Sequence, residues 1–97
     1  MQPVLAGTFL ASPQWERLSA PARGVLQGVL EIAIPRDGEW FIDGTPKELS
    51  EWFGSALSVK PSAILAGLRE LDEAGYLRKG RRGFGSRFVL APSIVQR

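Results

Sequence analysis

The sequence predicts a small α+β domain, mainly helical, with a three-helix core, a short strand and a C-terminal β-hairpin. Three observations predict it. Apolar residues recur at helical spacing from Ala22 to Ala33. A capped helix start at Thr45 is followed by a second start at Pro61. Two alternating segments then flank a glycine-rich basic turn.

Val4 to Leu10 is apolar with one glycine and reads as extended. Ser12-Pro13 combines an N-cap serine with proline at the first helical position, so a short helix starts there. Trp15 and Leu18 face inward from it. Ser19 is the next N-cap. After it Ala22, Val25, Leu26, Val29, Leu30 and Ala33 form one apolar helix face. Pro35 closes that helix, and Pro35-Arg36-Asp37-Gly38 reads as a turn. Trp40-Phe41-Ile42 is an aromatic and β-branched run between turn signals, hence a strand. In Thr45-Pro46-Lys47-Glu48 the threonine caps, the proline suits the first turn and the glutamate completes a capping box. That helix carries Leu49, Trp52 and Phe53 and is expected to stop at Gly54, with Ser55 to Lys60 as a connection. Pro61 opens the next helix. Ile64, Leu68 and Leu71 line its inner face, and Gly75 supplies a left-handed C-cap. Tyr76 to Lys79 and Ser86 to Leu90 are strands around Gly80-Arg81-Arg82-Gly83-Phe84-Gly85. The organisation is an N-terminal arm over 1–18, a domain over 19–92 and a tail over 93–97. Trp15, Trp40, Phe41, Trp52 and Phe53 are expected mostly in the core.

Composition excludes several function classes. The chain has 97 residues, 44% of them hydrophobic and 23% charged, as in an ordinary single globular domain. It has no cysteine and no histidine. Disulfides and thiolate metal sites are thereby excluded, along with the commonest general base. No metal ligand set, cofactor loop or nucleophile elbow is recognisable, and Asp72-Glu73, being adjacent, point to different helix faces. No apolar run reaches the roughly 20 residues of a membrane helix. The expectation is a soluble, cytoplasmic protein without enzymatic activity, without a cofactor and without a membrane partner.

Charge is unevenly placed. Net charge is only +2. Glu31 to Glu51 holds six acids and two bases, whereas Arg78 to Arg87 holds five bases and no acid. Such asymmetry predicts one face for an anionic partner, against the plainer reading of a solvated hairpin.

The order of helix, strand, helix, turn, helix, strand, basic turn, strand is that of a winged helix-turn-helix. Thr45-Pro46-Lys47-Glu48-Leu49 through Leu68-Arg69-Glu70-Leu71-Asp72-Glu73-Ala74-Gly75-Tyr76-Leu77 resembles the helix-turn-helix and following strand of bacterial winged-helix regulators. Ser12-Pro13-Gln14-Trp15-Glu16-Arg17-Leu18-Ser19 with Ala22-Arg23 resembles the start of N-terminal domains in phage and plasmid replication proteins, on one short segment. The winged-helix resemblance implies a third helix in the major groove of double-stranded DNA and a wing along the backbone. It implies DNA contacts from Ser58, Lys60, Ser62, Ala63, Ala66 and Arg69 on the turn and helix. On the wing it implies contacts from Arg78, Lys79, Arg81, Arg82 and Arg87. It further implies transcription regulation or a part in DNA replication or maintenance of a phage or plasmid, and a homodimer reading two half-sites. The sequence departs from this family where Ala63, Leu65 and Ala66 replace polar or basic residues. A helix so poor in donors reads bases weakly. The alternative is a protein-interaction module in which Leu65, Ala63, Ala66 and Phe84 meet a protein partner. Glu70, Asp72 and Glu73 are expected to be solvated.

Overall fold

The computed structural model describes residues 2–80 and 87–96. The elements run α1 Gly7–Leu10, α2 Pro13–Arg17, α3 Ala20–Ile32, β1 Ile34–Arg36, β2 Glu39–Asp43, α4 Pro46–Leu57, α5 Pro61–Ala74, β3 Leu77–Lys79 and β4 Arg87–Leu90. A short 3₁₀ turn, Pro92–Ile94, follows. The fold is α+β and mainly helical, with one antiparallel sheet in the order β1-β2-β4-β3. Among the described residues no helix is long and apolar enough to cross a membrane.

Helix starts obey local chemistry. The Ser12 and Ser19 hydroxyls accept from the Trp15 and Ala22 amides at 3.4 and 3.2 Å. At α4 the box closes in both directions. The Glu48 amide donates to Thr45 Oγ1 at 3.0 Å, and the Thr45 amide donates to Glu48 Oε1 at 2.9 Å. The bond from the Thr45 amide, then that from its side chain, holds the Glu48 carboxyl below its ordinary pKa of 4.5. A depressed carboxyl stabilises the fold above that ordinary value, and its contribution fades as pH falls through the lowered one.

Four sequence expectations are corrected. The Val4–Leu10 stretch is not wholly extended, because Gly7–Leu10 turns into α1. Its first residues instead clasp the C-terminal segment. Leu5 bridges Val95, the Ala6 amide donates to the Ile94 carbonyl at 2.8 Å, and the Gln96 amide donates to the Val4 carbonyl at 2.7 Å. Leu5, Phe9 and Ile94 thereby join the same core as α3 to α5.

Secondly, the expected turn at Pro35 to Gly38 is a strand plus a tighter turn. Ile34, Pro35 and Arg36 pair with Phe41, Trp40 and Glu39. Only Asp37-Gly38 turns, with φ of 52° and 80°. Positive φ at both central residues suits the twist of a two-residue hairpin. Proline is tolerated because β1 lies at the sheet edge, where a missing donor costs no ladder bond.

Thirdly, α4 runs past Gly54 to Leu57 and ends at Ser58, in the left-handed region at φ 56°. Gly54 marks a close approach and not a helix end. A Cβ there would sit 2.8 Å from the Val59 carbonyl oxygen. Lack of a side chain lets the turn fold back on α4, and the Val59 amide donates to the Gly54 carbonyl at 2.9 Å.

Fourthly, Trp52 is not core: it is 51% exposed. Phe53 is buried, as are Val25, Leu26, Val29, Leu49, Ile64, Leu68 and Leu71 from the helices and Ile42, Leu77, Phe88 and Leu90 from the sheet. Trp15 is half-buried and meets Phe9 edge-on at 5.6 Å, while Phe9 meets Tyr76 edge-on at 4.9 Å.

Helix α5 lies against both α3 and α4. At the α3 crossing a Cβ on Gly67 would stand 3.1 Å from the Ala22 nitrogen and 3.3 Å from the Pro21 carbonyl carbon. The two backbones therefore meet without an intervening side chain.

Glycine-to-alanine substitution inside a helix ordinarily gains about 1 kcal/mol. At Gly54 the clash with main chain reverses the sign. Gly54→Ala is expected to lose about 1–3 kcal/mol in a urea titration. Gly7→Ala, with open space around the added methyl, is expected to be neutral or mildly stabilising.

Candidate nucleic-acid interface

The last two helices and the final hairpin form the candidate interface. Burial divides α5 cleanly. Ile64, Gly67, Leu68 and Leu71 face the core, and Ser62, Leu65, Ala66, Arg69 and Glu73 are exposed. The exposed positions recur at three- and four-residue steps, so they share one face. Ala63 is half-buried beside them. Ser58 and Lys60 are exposed in the turn before α5. Lys60 is the N-cap of α5 and supplies no side-chain cap, unlike Ser19 or Thr45. Pro61 occupies the first helical position, where no donor is needed. Ser62, Ala66 and Arg69 are thus brought to one face of α5, with Lys60 at its N-terminal end.

The acids of α5 are not all idle surface, contrary to expectation. The half-buried Glu70 accepts the Ser19 amide through Oε2 at 2.9 Å, tying α5 to the start of α3. Asp72 Oδ1 accepts the Lys79 amide at 3.1 Å, tying α5 to β3. Lys79 sits on an edge strand whose outward amides need partners, and Asp72 supplies one.

The described hairpin cations, Arg78, Lys79 and Arg87, do not form one patch. Leu77, Arg78 and Lys79 pair with Leu90, Val89 and Phe88. Side chains alternate across a strand. Lys79 therefore shares the inner face with Phe88 and the core, toward α5. Arg78 shares the outer face with Val89 and Arg87. Arg87 is engaged there: its Nε lies 3.2 Å from Asp43 Oδ1, and its guanidinium stacks over the Phe41 ring at 4.2 Å. Arg81 and Arg82, and Phe84 between the glycines, lie outside the described residues.

A cleft of about 310 Å³ lies where α5 meets the hairpin and the start of α4. Leu68 and Phe88 form its floor, Leu65 and Pro46 its walls, and Arg69, Asp72 and Lys79 its rim. Leu65 is 42% exposed at the edge of this cleft. Sequence reasoning named Arg69 and Lys79 as separate contacts and missed that the cleft joins them. It also missed Asp72 as the tie between helix and strand. The alternation rule alone would have separated Arg78 from Lys79.

The geometry offers an exposed helix face, an adjacent cleft and cations on two sides of a small sheet. Compared with protein-family models, curated proteins and solved structures, the chain shows no significant match.

The two outer-face arginines should behave differently. Arg87 combines a partly screened ion pair with a stacked ring, whereas Arg78 is exposed. Arg87→Ala is expected to lower stability by about 1 kcal/mol. Arg78→Ala is expected to change it by less than about 0.5 kcal/mol in the same urea titration.

Proposed function

We propose that this protein binds double-stranded DNA as a winged helix-turn-helix domain. It acts by occupancy, as a transcriptional regulator or as an accessory factor in replication or maintenance of a phage or plasmid. The observation that carries the reading is the placement of α5. Its Ser62, Ala66 and Arg69 face outward together, Lys60 stands at its N-terminal end, and Arg69 shares a cleft with Lys79 of the following hairpin. The sheet order supports the same reading, since the strand before α4 pairs with the second strand of the hairpin after α5. In this reading α5 enters the major groove, and the connection holding Arg81 and Arg82 follows the phosphates. Arginine forks suit phosphate oxygens. A second copy would supply a second half-site.

With Leu65 and two alanines on the α5 face, base readout is weak and backbone contact dominates. Affinity should therefore vary little between sequences and steeply with salt. If about four cations meet phosphates, log affinity against log salt has a slope of roughly −3 to −4.

A second reading rests on Leu65, whose exposure beside Ala66 also suits a protein partner. One substitution separates the two. Leu65→Lys adds a cation to a DNA-facing helix and strengthens duplex binding, whereas it disrupts an apolar protein contact.

The test is a salt titration of binding to random-sequence duplex, with the wild type beside an Arg81→Ala, Arg82→Ala double variant. The expected result is a steep slope for the wild type and a slope shallower by about 1–2 for the variant. Absent or salt-independent binding overturns the proposal, and equal behaviour of the double variant removes the wing from it.

A further inference from the structure

The cleft between α5 and the hairpin has the composition of a small-molecule site. Its floor is apolar and closed, since Leu68 and Phe88 are each 3% exposed. Its wall, Leu65, is a large apolar side chain left 42% exposed. Its rim carries two cations and one acid. Asp72 Oδ1 accepts the Lys79 amide while its carboxylate keeps its charge, so the two cations and one acid leave the rim with a net positive charge. Among the described residues the only ion pair is that of Arg87 with Asp43, so neither rim cation is paired. The volume of about 310 Å³ lies at the lower end of the range for ligand pockets, which suits a molecule of one or two rings.

These features ask for two things of one occupant. Burial of Leu65 needs apolar surface, and Arg69 and Lys79 favour a negative charge at the rim. We infer that the cleft binds a small aromatic monoanion, a carboxylate, with its ring over Leu68 and Phe88 and its carboxylate between Arg69 and Lys79. The neutral ring alone would leave the cations without a partner. A bare inorganic anion would leave the apolar floor wet.

Naphthoate and naphthyl methanol, matched in shape and differing in charge, serve as probes. Binding is followed by amide chemical shifts on the isotope-labelled full chain, which requires no nucleic acid, so loss of the DNA reading leaves this inference standing. Naphthoate should give saturable shifts grouped at Leu65, Arg69, Asp72 and Lys79. Naphthyl methanol should bind about tenfold more weakly, the size of one charge-assisted contact. Arg69→Gln should weaken naphthoate by a similar factor and leave naphthyl methanol unchanged. Arg36→Gln, on exposed β1, should change neither. Shifts that do not saturate, equal binding of the two probes, or displacement of naphthoate by inorganic phosphate at equal concentration would overturn the assignment.

Discussion

The molecule depends on how deeply α5 can sink between its neighbours. At Gly67 the helix meets the Pro21–Ala22 main chain, and at Gly54 the turn before α5 meets the main chain of α4. A side chain at Gly54 would force the turn before α5 to shift, and one at Gly67 would need the start of α3 to give way by a few tenths of an ångström. With both points bare, Ile64, Leu68 and Leu71 reach full burial, and the opposite face is left outward. Pose and presentation are therefore one constraint. The hairpin inherits that pose, because Leu77 enters the core directly after the Gly75 cap and Asp72 binds the Lys79 amide. A shift of α5 would carry the hairpin and the cleft with it.

Electrostatics then divide the sheet. One described hairpin cation, Lys79, looks toward α5, while Arg78 and Arg87 look away from it. Arg87 is occupied by Asp43 and Phe41, an arrangement that helps keep Phe41 buried on the outer face. Among the described residues, Lys60, Arg69 and Lys79 stand on or beside α5, next to the exposed Leu65 and the carboxylates of Asp72 and Glu73. In the proposed function these few cations carry the contact with phosphates, and the donor-poor face of Ala63, Leu65 and Ala66 accounts for the weak base readout proposed with it.

Much of this was legible in the sequence where the signal is local. Caps at Ser12, Ser19 and Thr45 depend on residues three apart, and the faces of α3 and α5 depend on one periodicity. The misreadings arise where the deciding partner is distant. Pro35 ends a helix by its own chemistry, but whether a strand follows depends on Trp40 across the hairpin. Gly54 looks like a stop until Val59 and Pro61 are seen folded against it. Trp52 has the composition of a core residue, yet it lies off the face occupied by Leu49 and Phe53. The N-terminal arm and the tail carry no pattern of their own, because each is ordered by the other. For the candidate site, the helix positions were legible from periodicity. The cleft was not, since Pro46, Arg69 and Phe88 are far apart in sequence.

The nucleic-acid surface proposed for this protein is the outward face of α5 together with the inner side of the hairpin. Amide shift mapping of the labelled protein with a short random-sequence duplex at low salt reads that surface residue by residue. Perturbations are expected at Lys60, Ser62, Ala66, Arg69 and Lys79, with Arg36, Glu51 and Trp52 unchanged. Perturbations centred on Trp52 and Leu57, or none at all, would contradict it.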